Sequence, residues 1–360
     1  MGSSREVAIS VVISTYNRCD MLPRALESVL AQEDGGLCYE VIVVDNNSTD
    51  RTRDVAESFI KGGYANLRYV FETKQGLSYA RNAGIRAAQA PIIAFTDDDV
   101  RATPRWIAEI KRTFDEHPEI VYIGGKVLPL WRDEPPAWLT RDHWSPLALM
   151  DDGDEPFYMS AKKPRCMVGA NLSVRREVFD RVGLFTPDLQ RVKDGIGSTE
   201  DHEFQLRIWR AGEKGMYIPS AVVSADVQPE RLTKAYHRRW HSGHGKYCAL
   251  MQLDEQLTQD NQIPEHPLVY ITLFGTPASL YRDLLAQSGH WVTAVLRGRK
   301  SAAFANENAL RRRINYIRKR YQMNRQESPR RPLSEIVFFL GNLGRKKAAN
   351  FFSKKSGPPS

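Results

Sequence analysis

Ile92-Ile93-Ala94-Phe95-Thr96-Asp97-Asp98-Asp99-Val100 decides how the rest of the chain reads. Its first residues are apolar and suit a buried strand, and they run straight into three carboxylates. A strand that ends this way delivers its acids to the carboxyl edge of a sheet, where open α/β folds bind ligands. Three adjacent carboxylates repel one another and gain from a hard cation that takes oxygen ligands, Mg²⁺ or Mn²⁺. The same acids at the start of a helix would only complement its dipole. The company the stretch keeps separates the two readings.

Upstream, Val7 to Ile13 and Tyr39 to Val44 are near-continuous β-branched runs of the parallel-sheet kind. Leu67 to Phe71 reads as a short third strand, and Ile92 to Thr96 as the fourth. Helical spacing predicts helices over Met21 to Gln32, with Asp20 as its cap, over Asp50 to Ile60, over Ser78 to Ala88, and onward from Pro104. Strands and helices alternate with short connections, so residues 1–130 should form a doubly wound α/β unit with a mostly parallel sheet. Each strand ends in polar residues: Thr15, Tyr16 and Arg18 after the first, Asp45 and Asn47 after the second, Asp97 to Asp99 after the fourth. In a parallel sheet these ends share one edge and line one pocket.

No GxGxxG or GxxxxGK[ST] follows the first strand, which disfavours a dinucleotide site and a P-loop. Tyr16 offers a flat face for a nucleobase. Asp45 offers an acceptor for a base N–H or a ribose hydroxyl, and Arg81 a fork for a carbonyl or a phosphate. With a metal on Asp97 to Asp99, these pieces add up to a nucleoside diphosphate.

Four segments then point to a family. Ser-Val-Val-Ile-Ser-Thr-Tyr-Asn-Arg (10–18), Val-Ile-Val-Val-Asp-Asn-Asn-Ser-Thr-Asp (41–50), Gly-Leu-Ser-Tyr-Ala-Arg-Asn-Ala-Gly (76–84) and Ala-Phe-Thr-Asp-Asp-Asp (94–99) resemble, in order and spacing, the nucleotide half of family 2 glycosyltransferases of the GT-A fold. The resemblance implies a nucleotide-sugar donor, with UDP favoured, and a divalent metal held by Asp97 and Asp99, the outer acids of a DxD motif. Asp98 stands among the nucleotide contacts. It further implies that Gly169, Ala170 and Asn171 lie under the donor sugar. Glu200-Asp201 resembles the family's acidic pair, in which Asp201 is the general base of an inverting transfer and Glu200 orients the loop or the acceptor. Without that resemblance, Thr199-Glu200-Asp201 is simply a good helix N-terminus.

Two departures bear on the site. Many relatives carry a histidine near Ser224 to Asp226 that completes the metal shell; this chain has none there, and Asp226 is the substitute of matching chemistry. Arg239-Trp240 matches the end of the QxxRW motif of processive relatives, but Tyr236 stands where Gln is expected. Arg239 and Trp240 are retained as substrate-binding candidates on a basic helix end that faces the diphosphate.

The remainder sets the context. Residues 131–250 read as the acceptor and catalytic half, and 251–360 as a helical basic extension. Residues 129–164 are rich in Pro and Trp, and Trp131, Trp138 and Trp144 should pin this irregular insertion onto the domain. The 360 residues are 42% hydrophobic and 26% charged, which excludes wholesale disorder. Four scattered cysteines form no CxxC and fit a reducing compartment. The N-terminus lacks the apolar run of a leader, and no stretch approaches the ~20 apolar residues of a membrane span. From Arg297 to Lys355 there are 17 Lys and Arg against 3 Asp and Glu, a balance of +14 in a chain of net +8, so the rest is acidic. With helices expected over Leu268 to Leu296 and Ala302 to Tyr321 and an apolar cluster at Ile336 to Leu340, the tail suits an anionic membrane surface and carries no nucleic-acid motif. The expectation is a cytoplasmic enzyme, peripheral on the inner face of the membrane, that glycosylates a glycan or lipid-linked acceptor. The competing readings are a catalytically inactive nucleotide-sugar binder or scaffold and a nucleotidyltransferase. The latter would want a Gly-rich basic loop that Ser14 to Arg18 is not.

Overall fold

A computed structural model describes residues 6–189, 196–197, 199–258, 262–264, 268 and 270–327. They form two compact units: one up to Trp240 with residues 262–263, the other from His241 to Thr258 and from Pro264 onward.

The first unit holds β1 (Ile9–Thr15), α1 (Leu22–Leu30), β2 (Tyr39–Asp45), α2 (Thr52–Lys61), β3 (Leu67–Phe71), α3 (Leu77–Ala87), β4 (Ile92–Asp97), β5 (Val100–Ala102), α4 (Trp106–Glu116), β6 (Tyr122–Trp131), β7 (Phe157–Met159), β8 (Leu172–Arg175), α5 (Glu177–Val182), α6 (Glu200–Arg210), β9 (Gly215–Val227) and the start of α7 (Lys234–Leu250). The second continues with α8 (Leu253–Gln256), a short hairpin of β10 (Thr272–Leu273) and β11 (Thr276–Pro277), α9 (Ala278–Leu296) and α10 (Lys300–Glu327). The expected helix over Leu268 to Leu296 therefore begins only at Ala278, because the hairpin takes up the preceding residues. Ile336 to Leu340 lie outside the described residues. Asp20 does not cap α1: Met21 holds that position without a side-chain bond, and Pro23 in the first turn removes one of the donors a cap would serve.

The sheet runs β3-β2-β1-β4-β8-β6-β9-β5, with β7 also on β9. The first four strands are parallel, and every residue of β1 and β2 is buried, as their unbroken apolar character requires. Register brings the functional ends together. Thr15 lies beside Asp45 across β1 and β2, and Ser14 beside Asp97 across β1 and β4. The shared edge expected of a parallel sheet is thus present.

Antiparallel β8 sits between β4 and β6 and turns the sheet into a mixed one. The β6–β9 pairing then slips after Gly125, so that Ile218 and Val222 of β9 face consecutive residues of β6. Pro219, which cannot donate to a ladder, falls inside the bulged segment. A Cβ on Gly125 would stand 2.0 Å from the Ala221 carbonyl oxygen, so only glycine fits there. Asn171 satisfies the bulge. Its amide donates to the carbonyls of Lys126 and Ala221, each at 2.9 Å, and its oxygen accepts from the Trp106 indole at 2.9 Å. Its polar atoms serve the fold, and it does not line the cavity described below.

The insertion after β6 is pinned by aromatic contacts. Trp138 packs edge-on against His143 and His237, with centroids 5.4 and 5.0 Å apart. His237 is fully buried there, and burial together with the neighbouring His143 pushes its pKa down to about 4. The folded state therefore resists a proton that the unfolded chain accepts below its ordinary value of 6.5. Stability from the neutral ring is whole above pH 6.5 and is lost as pH falls towards 4. Urea melts at pH 7 and pH 5 should differ by about 1–2 kcal/mol from this group. In His237→Phe that part of the difference should vanish, and an unchanged pH slope would refute the assignment.

Candidate active site

The carboxyl edge of the parallel strands opens into a cavity of about 620 Å³. Thr15, Tyr16 and Arg18 line it from the β1 end, and Asp97, Asp98 and Asp99 from the β4 end. Ala170 lines it from the β8 side, and Arg239 from α7. Asp45, Asn47, Arg81, Gly169, Asn171, Glu200, Asp201, Asp226 and Trp240 do not line it. Their positions show what each does instead.

Asp45 is buried behind the edge, accepting from the Ser48 N–H at 2.9 Å and the Tyr69 hydroxyl at 2.7 Å. Asn47 is an exposed turn residue with φ of +64°, a conformation asparagine tolerates. The lining residue here is Asn46. Its oxygen accepts from the Gly76 N–H at 2.7 Å and its amide donates to the Lys74 carbonyl at 2.7 Å. These bonds hold the N-terminus of α3 at the cavity, and Gly76 and Leu77 line it. A helix start in that position favours anionic ligands.

The three acids differ. Asp97 is the most open, its side chain 32% exposed. Asp98 is buried, which pushes its carboxyl up to about 7 despite Arg18 at 3.7 Å. Asp99 draws cations and donors: Arg18 at 3.1 Å, Gln228 at 3.3 Å and Arg231 at 3.6 Å. Burial lowers the affinity of Arg18 for its proton, but Asp98 and Asp99 outweigh that and hold it firmly charged. Arg231 and Glu230 also line the cavity, as do Tyr236 and Gln228. Sequence reasoning passed over Arg231, Glu230 and Gln228 and noted Tyr236 only as a departure from QxxRW; the available signal was their place just after β9, the strand that returns to β5 beside the acids.

Asp226 turns away. Its carboxylate is held by Arg101 at 3.2 Å and Arg132 at 3.6 Å, although its N–H donates to the Asp99 carbonyl at 2.8 Å. Unlike Asp97 and Asp99 it does not line the cavity, so it does not stand with them as a third cation ligand. Among the described residues, no group of three or more His, Cys, Asp or Glu is gathered for a metal.

Arg81 is the centre of the other half of the site. Its side chain is almost fully buried, and its guanidinium donates to Asp201 at 2.5 Å, approaches Glu200 at 3.3 Å and reaches Asp97 at 4.0 Å. Phe185 lies under it, 5.3 Å from centroid to cation. Burial alone would weaken its hold on the proton, but Asp201, Glu200 and Asp97 outweigh that and raise it. The second carboxylate oxygen of Asp201 accepts from the Gly169 N–H at 3.0 Å. A Cβ on Gly169 would come within 2.3 Å of Arg81 and 2.7 Å of Asp201, so glycine is what lets the turn before β8 approach this pair. One cation thus joins the acid at the end of β4 to the acids at the start of α6, which lie about a hundred residues apart in sequence.

The family model for glycosyl transferase family 2 matches residues 10–183. Residues 10–183 form a family 2 glycosyltransferase domain. The chain is 28% identical over 228 residues to the glucosyl-dolichyl phosphate glucuronosyltransferase of Haloferax volcanii, covering 60% of this chain and 68% of that one. It is 40% identical over 104 residues to validoxylamine A glucosyltransferase of Streptomyces hygroscopicus subsp. jinggangensis, covering 28% of this chain and 24% of that one. Among solved structures, the mannosyltransferase of Pyrobaculum calidifontis in complex with GDP-Man and Mn²⁺ superposes with a TM-score of 0.55 at 18% identity, covering 90% and 89% of the two chains. That likeness shows the fold, the GT-A-type arrangement expected from the sequence.

Proposed function

We propose that this glycosyltransferase moves a sugar from a nucleoside diphosphate donor, UDP first among the candidates, to a hydroxyl of a glycan or lipid-linked acceptor. The observation that carries the reading is the placement of Arg81, with Asp97 on one side and Asp201 on the other. It sets a cavity-facing acid next to a carboxylate able to take a proton. The dolichyl phosphate-linked substrate in the name of the Haloferax relative supports a lipid-linked acceptor.

In this reading Tyr16, Thr15 and Asn46 receive the nucleoside, and Arg18, Arg231 and the α3 N-terminus face the diphosphate. Asp201 takes the proton of the acceptor hydroxyl as its oxygen bonds to the anomeric carbon, and the bond from that carbon to the diphosphate oxygen breaks. Attack from the face opposite the leaving group inverts the anomeric centre. The donor set on the cavity floor fits a hard divalent cation: Asp97 and Asp99 both line the cavity and supply carboxylate oxygens. Mn²⁺ or Mg²⁺ held there would supply charge to the departing diphosphate.

Calorimetry of UDP-, GDP- and dTDP-sugars with and without Mn²⁺ tests this. One nucleotide should bind at least roughly tenfold more weakly without the metal or in Asp99→Ala. Failure of all three donors to bind under either condition would overturn the reading.

A further inference from the structure

The second unit carries a surface that transfer chemistry does not use. Helix α9 leaves much of its apolar side uncovered: Leu285 is 74% and Leu296 82% exposed, and Trp291, Val292 and Val295 are exposed as well. At 100° per residue, Tyr281, Leu284, Leu285, Trp291, Val292, Val295 and Leu296 fall within an arc of roughly 140°, with Ser288 the one polar residue among them. The adjoining flank packs on α10: it carries buried Leu280 and Ala294, and Gln287 donates to Asn306 at 2.6 Å. The stripe is therefore not the seam that holds the hairpin together. Its first residues, Tyr281 and Leu284, also line an apolar groove of about 430 Å³ with Ile314, Ile317 and Tyr321, and Arg318 stands on the groove wall.

Charge says what covers this stripe. From Leu284 to Asn306 the chain contains no Asp or Glu, whereas Arg297 and Arg299 occupy the turn between α9 and α10, Lys300 opens α10, and all three are exposed. An apolar helix face that ends in a cluster of cations with no anion nearby matches an anionic lipid surface, with side chains entering the acyl boundary and cations on the headgroups. No helix among the described residues is long and apolar enough to cross a membrane, so the contact is interfacial. We propose that the α9–α10 hairpin docks on an anionic phospholipid surface through Trp291, Val292, Val295 and Leu296, with Arg297, Arg299 and Lys300 on the headgroups. This holds whichever donor the active site takes.

The test is sedimentation of the full chain with vesicles of phosphatidylcholine alone and with about one third phosphatidylglycerol added. Binding should be at least roughly tenfold stronger to the anionic vesicles and should weaken as salt is raised. A Val295→Ser/Leu296→Ser variant should lose roughly tenfold or more, and an Arg297→Glu/Arg299→Glu/Lys300→Glu variant more than that. All five side chains are exposed, so both variants should fold, which their thermal melts would verify. Anionic-vesicle binding that survives both variants would overturn the assignment and place the contact elsewhere in the basic tail. No binding to either vesicle would overturn it too. A dimer in solution that the Val295→Ser/Leu296→Ser variant breaks would show that a second copy, not lipid, covers the stripe.

Discussion

Replacing Arg81 by methionine should destabilise the first unit by about 3 kcal/mol and abolish transfer together. The side chain is buried, and three carboxylates, those of Asp97, Glu200 and Asp201, depend on its charge. Methionine retains much of the volume, so the loss is electrostatic: Glu200, 4% exposed at its side chain, would be left beside Asp201 with no cation between them. Asp97 and Asp201 have partial access to water and can relax, which keeps the figure at the lower end of the range for a broken buried pair. Urea unfolding checks the stability, and its pH dependence checks the cause. The deficit should shrink below pH 5, where the carboxylates take up protons. A pH-independent deficit would mean that packing, not charge, is what Arg81 contributes.

Asp201→Asn should leave donor binding within a few-fold of normal and lower turnover by roughly a thousandfold, the middle of the range for a general base. The amide oxygen can still accept from Arg81, while the NH2 that replaces the second oxygen cannot accept from the Gly169 N–H, so one of the two local bonds survives. The amide cannot take a proton from an acceptor hydroxyl. Turnover measured at saturating donor and acceptor, alongside calorimetric donor affinity, separates the two effects. Unchanged turnover would remove Asp201 from the base role.

The donor edge was legible because it is local. Each strand of the parallel half is a continuous apolar run that stops at polar residues, and parallel pairing puts those stops on one line. What stayed hidden depends on contacts between distant segments. Asn171 reads as a ligand-facing amide until the slip between β6 and β9 creates two carbonyls for it to satisfy. Arg81 reads as a phosphate fork until α6 brings Glu200 and Asp201 to it. Asp226 reads as a replacement metal ligand until Arg101 and Arg132 claim it. In each case the residue type was read correctly as polar and strongly bonding, and its partner came from more than thirty residues away. Exposure along α9 was hidden for another reason. Its apolar residues have the spacing of a packed helix, and only the path of α10 shows which of them remain uncovered.

The position of Arg81 on α3 has a consequence for recombining such enzymes. The helix belongs to the parallel half whose strand ends line the cavity, yet its guanidinium holds the carboxylates that the following half supplies. A chimera that joins this chain to a relative anywhere between Ala87 and Glu200 inherits the arginine from one parent and its acids from the other. Donor preference can therefore be transplanted as a block only when the recipient's acids match the incoming arginine, and a library of crossovers should show its functional gap across that interval.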